Sequence, residues 1–392
     1  MKLPEYKAHE LFRTFAIPCL DGCVAHSVEE LPSLAARVSY PIVIKAQVLT
    51  GGRGKAGGVR IAEDAEELIA LGSQIFALSI SGQKVPALFL TGKRQVKQEY
   101  YASMILDRKR KCPVLIFSSA GGMEINKTAE KAPDKVITVS LDPQTGIQAF
   151  TVQYIADRAA VGQAYHGQLR KILEGLFRLF MEYDCLLAEI NPLAFDGEDR
   201  FVALDGKIEI DDNSLFRHPD MRAFRDESCS DPLVLKARGF GFLYIPVDEH
   251  GDVGVISNGS GMIMSSMDLL SQSNSRVACA LDLGGGATAD RIYEAVRVMI
   301  SNPAVKLIFI NIFGGITRCN EVASGVVRAV AENPRQNFVV RMEGTNKEEG
   351  VRICSAVPRG IELVDGLGEA IPVITRLLTT ASGTQKGRGV RT

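Results

Sequence analysis

The strongest constraint on the fold lies in the second half of the chain, where strand-like and helix-like patterns alternate. From Gly241 onward, apolar runs at 253–257, 277–281, 307–312, 338–342 and 361–364 are separated by helix-period segments near 262–272, 289–301, 321–332, 347–356 and 367–378. A strand that returns to its sheet through a helix runs parallel to its predecessor, and a parallel sheet needs helices over both faces. The pattern therefore predicts a doubly wound parallel sheet. Small-residue loops follow three of the runs: Asn258-Gly259-Ser260-Gly261, Gly284-Gly285-Gly286-Ala287 and Gly314-Gly315-Ile316-Thr317. Loops at the carboxyl ends of parallel strands bind ligands in such domains, and helix N-termini there attract anions. A dinucleotide fits poorly, because the G-x-G-x-x-G spacing and its acidic residue on the next strand are missing.

The first half is organised differently. An apolar run from Pro41 to Val48 leads into Gly51-Gly52-Arg53-Gly54-Lys55-Ala56-Gly57-Gly58, and Val59-Arg60-Ile61-Ala62 leads out. Strand, glycine-rich loop and strand form a flap whose N–H groups can turn toward an anion. No G-K-[ST] opens a helix here, so the loop is not a Walker A motif. Read alone, it is as readily an exposed basic hairpin as a phosphate cover. Lys45 shifts the balance toward polyphosphate: a lysine within an apolar strand needs a partner, and a nucleotide phosphate would supply one.

Around the flap, a short amphipathic helix is expected over 5–16, a helix near 65–77, and a hairpin of 100–107 and 113–118 turning at Arg108-Lys109-Arg110-Lys111. Leu169, Ile172, Leu173, Leu176, Phe177 and Phe180 recur at helical spacing and predict a core-facing helix over 168–183. Two strand-like runs, 186–195 and 201–208, flank the turn Asp196-Gly197-Glu198-Asp199. Glu189 and Asn191 share one face of the first, and Asp205 on the second falls near Asn191 in an antiparallel pair. An amide and a carboxylate oxygen beside polyphosphate suit Mg²⁺, which takes few protein ligands and completes its octahedron with phosphate and water. The alternative is a polar pair at the end of a hairpin. Residues 211–240 read as an irregular interdomain connection, and 381–392 as a disordered tail.

Composition excludes several classes. At 392 residues with a formal net charge of −1, there is no basic excess to draw nucleic acid or an acidic membrane. The opening residues carry no apolar signal core or transit pattern, so a cytoplasmic, bacterial-type chain is expected. The eight cysteines form no C-x2-C pair. His9, His26, His166, His218 and His250 lie far apart, and none adjoins a glycine-rich loop.

Taken in order, these segments resemble the β-subunit family of succinyl-CoA synthetase (succinate–CoA ligase). The resemblance rests on Leu3-x-Glu5-Tyr6, Lys45-Ala46-Gln47-Val48 with 51–58, Glu189-Ile190-Asn191-Pro192-Leu193, Leu204-Asp205-Gly206-Lys207, Asp282-x-Gly284-Gly285-Gly286-Ala287 and Asn311-Ile312-Phe313-Gly314-Gly315-Ile316. It implies an α/β protein with an α+β part: an ATP-grasp half over 1–232, its flap-bearing subdomain at about 20–98, then a flavodoxin-like ligase domain over 241–380. It also implies that Lys45, Gly52, Arg53, Gly54, Thr91, Arg94 and Glu99 contact ATP/ADP or GTP/GDP, and that Asn191 and Asp205 hold Mg²⁺. Glu189 would be catalytic, facing a phosphohistidine of a partner α-subunit. Asn258, Gly315, Ile316 and Thr317 would meet succinate or succinyl-CoA. Coenzyme A is expected on the α-subunit, in an αβ or α2β2 assembly. One departure stands out: Leu90 is followed by Thr91 and Gly92, where family members often carry an acidic residue. This leaves the ADP-or-GDP preference open. A malate– or citrate–CoA ligase subunit, or a regulatory nucleotide-binding subunit, are the alternatives.

Overall fold

The computed structural model describes residues 1–229, 231–273 and 275–386, in two units, Met1–Ala223 and Phe224–Thr392. In the second unit, strands Val253–Ser257, Val277–Asp282, Leu307–Gly314, Asn337–Gly344 and Ile361–Leu363 form the expected parallel sheet. Its spatial order is 277–282, 253–257, 307–314, 337–344, 361–363. Helices Ala289–Ile300 and Cys319–Glu332 bury their apolar stripes in one core with Ile308, Ile310 and Phe338, while Val255, Phe309 and Ile374 belong to a separate cluster. A sheet covered in this way explains why its strands read as unbroken apolar runs.

Two features of this unit and of the stretch that leads into it escape the sequence pattern. An antiparallel edge strand, Leu243–Pro246, pairs with 277–282. The stretch expected to be irregular instead carries the 3₁₀ turn Asp212–Arg217 and helices Pro219–Glu227 and Pro232–Gly239. The last of these has a clear start: Asp231 Oδ1 accepts the Leu233 N–H at 2.8 Å, with Pro232 in the first turn. Helix Leu367–Lys386 runs into the segment read as a tail, and residues 387–392 lie outside the described residues.

The first unit is antiparallel throughout its two larger sheets. Strands Gly22–Ala25, Leu88–Gly92, Ile42–Ala46 and Val59–Ala62 form one, in that order. The other runs Phe201–Ala203, Cys185–Asp196, Val96–Asp107, Cys112–Ser118, Val136–Ser140, with Gly206–Ile210 also on Cys185–Asp196. Helix His166–Glu182 packs Leu169, Ile172, Leu173 and Leu176 into the core, each contributing about 2 kcal/mol by burial. Helices Ile125–Lys131 and Ala149–Arg158 and the strand Val136–Ser140 were not evident from sequence.

The expected second strand of the 186–208 hairpin is broken at Leu204-Asp205. The break matters, because it releases the Leu204 carbonyl and the Asp205 side chain from the sheet edge. Helix Glu5–Thr14 lies against the segment after the break. A Cβ on Gly206 would sit 2.4 Å from the Phe12 ring, so only glycine permits this approach.

Candidate functional site

The first unit contains a cavity of about 720 Å³ whose lining includes Glu5, Arg53, Glu189, Asn191 and Asp205. The flap, residues 47–58 between strands Ile42–Ala46 and Val59–Ala62, forms one wall. Gly52 has φ of 82°, a conformation that favours glycine, whereas a Cβ at Gly54 would meet nothing within 4 Å. Lys55 Nζ at the tip donates to Glu124 Oε1 at 2.7 Å, and Lys127 lies 3.0 Å from the same carboxylate. These two lysines hold the exposed Glu124 carboxyl down at about 2.

Charge converges at the base of the flap. Lys45 Nζ donates to Glu5 Oε1 at 2.7 Å and to the Leu204 carbonyl at 2.6 Å. Arg53 donates to Glu5 Oε2, to Asp205 Oδ2 at 2.8 Å and to the Ala46 carbonyl at 3.1 Å. Burial pushes the Glu5 carboxyl up, but Lys45, Arg53 and His9 outweigh it and hold the group below its usual range. For Asp205 the balance reverses: enclosure and the nearby Glu5 charge raise it against the pull of Arg53. Arg53 loses by burial and gains more from Glu5 and Asp205, so its guanidinium is held even more firmly cationic.

The partner of Lys45 in the structure is therefore Glu5, where the sequence pointed to phosphate. Glu5 is the functional residue that pattern reading missed. Its signal is an acidic first-turn residue on a helix whose other inward positions, apart from His9, are the apolar Ala8, Leu11 and Phe12. His9 is also buried, with Nδ1 3.2 Å from the Leu20 carbonyl and Nε2 3.7 Å from Glu5 Oε1. Burial lowers its pKa to about 4, so it packs as a neutral ring.

Asn191 and Glu189 stand on one face of strand Cys185–Asp196, as expected. The Asn191 N–H donates to the Asp205 carbonyl at 3.2 Å, so the two proposed metal ligands are backbone neighbours. Gly122 N–H donates to Asn191 Oδ1 at 2.9 Å, and Asn191 Nδ2 donates to the Met123 carbonyl at 3.0 Å, which fixes the amide's direction. Oδ1 keeps a second lone pair. Asp205 Oδ1 accepts no hydrogen bond among the described residues. One amide oxygen and one carboxylate facing a single cavity form a donor set that fits Mg²⁺. Tyr101 OH donates to Glu189 Oε2 at 3.3 Å and orients that carboxylate.

The remaining expected nucleotide contacts lie elsewhere. Thr91 is buried in strand Leu88–Gly92, its hydroxyl without a hydrogen-bond partner among the described residues. Arg94 pairs with Glu198 at 3.4 Å in solvent. None of Lys45, Thr91, Arg94 and Glu99 lines the cavity, though Lys45 bonds Glu5 in its lining and Glu99 borders it: its Oε2 lies 2.3 Å from where a Cβ of Gly122 would be.

In the second unit the small-residue loops meet one another. Asn258 Nδ2 donates to the Phe313 carbonyl at 3.0 Å, and its Oδ1 accepts the Phe313 N–H at 3.1 Å. Thr317 is buried, and its Oγ1 accepts the Gly286 N–H at 3.1 Å. The Gly315 carbonyl accepts from Thr345 Oγ1 at 3.0 Å, and Ile316 is 81% exposed.

Comparison with known proteins adds a second line of observation. A model of the ATP-grasp domain matches residues 2–195, and a model of the CoA-ligase domain matches residues 256–357. The chain is 40% identical over 376 residues to the β-subunit of an ADP-forming succinate–CoA ligase from Pyrobaculum aerophilum, covering 94% of this chain and 97% of the relative. It is 39% identical over 359 residues to the β-subunit of a GDP-forming succinate–CoA ligase from Thermus thermophilus, covering 91% and 94%. The structure of ATP citrate lyase from Methanothrix soehngenii in complex with citrate and coenzyme A aligns over 96% of this chain and 99% of its own, with a TM-score of 0.78. At 19% identity that likeness concerns the fold alone.

Proposed function

The chain belongs to the family of succinate–CoA ligase β-subunits, and from that premise we propose that it is the nucleotide-binding half of an acid–thiol ligase acting on succinate. Its partner is an α-subunit, in an αβ pair or an α2β2 assembly, working in the cytoplasm. The observation that carries the reading is the convergence of Arg53, Asp205, Asn191 and Glu189 on one cavity beneath a glycine-rich flap.

The chemistry follows from charge. A carboxylate resists attack by a thiol until one of its oxygens becomes a leaving group. Transfer of the terminal phosphoryl of ATP or GTP to a histidine of the partner, and then to a succinate oxygen, gives an acyl phosphate. The coenzyme A sulfur then attacks the carbonyl carbon and phosphate departs. Phosphoryl transfer needs alignment and neutralisation of the equatorial oxygens. Lys45, Arg53 and the N–H groups of Gly52 and Gly54 supply positive charge. Asn191 and Asp205 would hold Mg²⁺, which when bound adds further neutralisation. Glu189, oriented by Tyr101, accepts a hydrogen bond from the incoming imidazole and stabilises its cationic form. Thr91, Arg94 and Glu99 would take up the rest of the nucleotide, and Asn258 with Gly315, Ile316 and Thr317 would meet the succinate carboxylate. The five histidines of this chain lie outside the glycine-rich loops, which supports a phosphorylated histidine on the partner.

The test is reconstitution with the α-subunit, assayed with succinate, malate and citrate under ADP and GDP. Succinate is expected to be preferred at least tenfold in kcat/KM, and labelled ATP should leave acid-labile label on the partner alone. Label on a histidine of this chain, or a preference for malate or citrate, overturns the reading. Glu189→Gln should slow labelling of the partner about a hundredfold while nucleotide affinity stays within threefold.

A further inference from the structure

Glu5 takes no part in the steps above, yet it is the most enclosed charge in the cavity, with a side chain 1% exposed. Each of its oxygens serves a different cation: Oε1 accepts from Lys45 and Oε2 from Arg53. A carboxylate removed from water is costly to keep, and removing one partner of a buried ion pair leaves the other uncompensated. The two carboxylates on Arg53 are not equivalent. Asp205 is a proposed metal ligand with one oxygen left open, whereas both oxygens of Glu5, at the start of helix Glu5–Thr14, are already taken by cations. An ion that takes the open oxygen of Asp205 competes with the guanidinium for the charge of that carboxylate and weakens its hold on Arg53. Glu5 then remains as the side-chain anchor of Arg53, and it already spaces Arg53 from Lys45 by placing one on each oxygen.

We infer that Glu5 is a positioning residue for phosphoryl transfer: it holds Lys45 and Arg53 in place against the nucleotide's phosphates once Asp205 is engaged by metal. The inference rests on the nucleotide-binding reading of the cavity. It has a consequence that mere support of the fold lacks. Removing the negative charge of Glu5 makes the cavity more positive, which favours a polyphosphate guest. Misdirecting the two cations slows the transfer itself. Affinity and rate therefore move apart.

The experiment compares Glu5→Gln with the parent in the α-containing holoenzyme. Per folded enzyme, kcat should fall at least tenfold while the nucleotide KM stays the same or decreases. Trypsin supplies a readout independent of activity, because Arg53 and Lys55 are cleavage sites within the flap. Without Mg²⁺, Asp205 still holds Arg53 and the two proteins should be cut alike. With Mg²⁺–ADP, the variant should be cut after Arg53 at least threefold faster than the parent. Equal kcat, a raised KM that accounts for the loss, or equal cleavage with Mg²⁺–ADP overturns the inference. If Glu5→Gln does not fold with its partner, Glu5→Asp is judged by the same readouts, since it keeps the charge but shortens the reach. A parent holoenzyme that binds no Mg²⁺–nucleotide refutes the functional reading itself, a separate result.

Discussion

The two regions proposed to face ligands hold their shapes by different means. In the first unit, Glu5, Lys45, Arg53 and Asp205 interlock as formal charges from segments far apart in sequence. In the second, Asn258, Thr317 and Thr345 join backbone groups of neighbouring loops by neutral hydrogen bonds, and the carboxylates of Asp282 and Glu321 accept from N–H and hydroxyl groups of the loops, not from cations. The difference matches the guests proposed for each. A polyphosphate carrying a divalent ion needs matched charge on both signs, and the protein must desolvate that charge. A single carboxylate is satisfied by N–H groups and helix N-termini. Charged scaffolding is therefore sensitive to loss of one member, while neutral scaffolding degrades gently.

The sharpest way to break this contrast is Asp205→Asn. It removes a charge from the first region, and phosphorylation of the α-subunit should fall about a thousandfold, roughly 4 kcal/mol of transition-state stabilisation. Mg²⁺–nucleotide affinity should drop at least tenfold by calorimetry with the circular dichroism unchanged. Unaltered affinity would remove Asp205 from the metal site.

Acid should separate the units next. Folded His9 resists protonation down to about 4, whereas the unfolded chain takes up that proton near 6.5. Stability of the first unit is thus complete above pH 6.5 and declines by about 3 kcal/mol as pH falls toward 4. Glu5, held below its usual range, adds further loss at lower pH. The only histidine of the second unit, His250, is exposed. Calorimetric scans between pH 7 and 4 should show the first unit's transition moving down more steeply. His9→Gln should flatten that slope, and a slope that survives would place the titrating group elsewhere.

A smaller effect is expected of Gly54→Val. Since a side chain there meets no protein atom, the fold should be untouched and any loss reports the guest. Phosphoryl transfer should fall about tenfold; activity within twofold of the parent would make the flap an ordinary exposed turn. The gentlest case is Thr317→Val, which leaves the Gly286 N–H without its acceptor. It should cost about 1 kcal/mol of stability and raise the succinate KM about threefold, leaving the nucleotide KM unmoved. A loss as steep as that of Asp205→Asn would erase the distinction between the two regions.

The second unit was legible because its strands are buried on both faces and therefore read as continuous apolar runs. Helix 219–227 was hidden by its charge content and helix 232–239 by its shortness, although Asp231-Pro232 marks a start. In the first unit, Lys45, Arg53, Asn191 and Asp205 stood out as polar residues in apolar or glycine-rich settings. Glu5 did not, because a first-turn acid on an amphipathic helix is expected whether it faces solvent or core. Only its long-range partners distinguish the two cases, and no local pattern encodes a contact with residue 45 or 53. The break at Leu204-Asp205 was hidden for a similar reason: both halves keep strand-like residues, and the Leu204 carbonyl finds its partner in the distant Lys45.

The seating of the amino-terminal segment on strand Gly206–Ile210 has a consequence for synthesis. Leu3 N–H donates to the Ile208 carbonyl at 3.0 Å, and Ile210 N–H donates to the Met1 carbonyl at 2.8 Å. Residues 1–3 therefore find their place only once a strand some two hundred positions later in the chain is present. Closing so long a loop is entropically costly and slow, whereas the second unit joins strand to helix to strand by short steps. Until that closure, Glu5 has no buried site in which to hold its cations. The ionic framework of the first unit is thus a late product of folding, assembled only when the two ends of its chain segment meet.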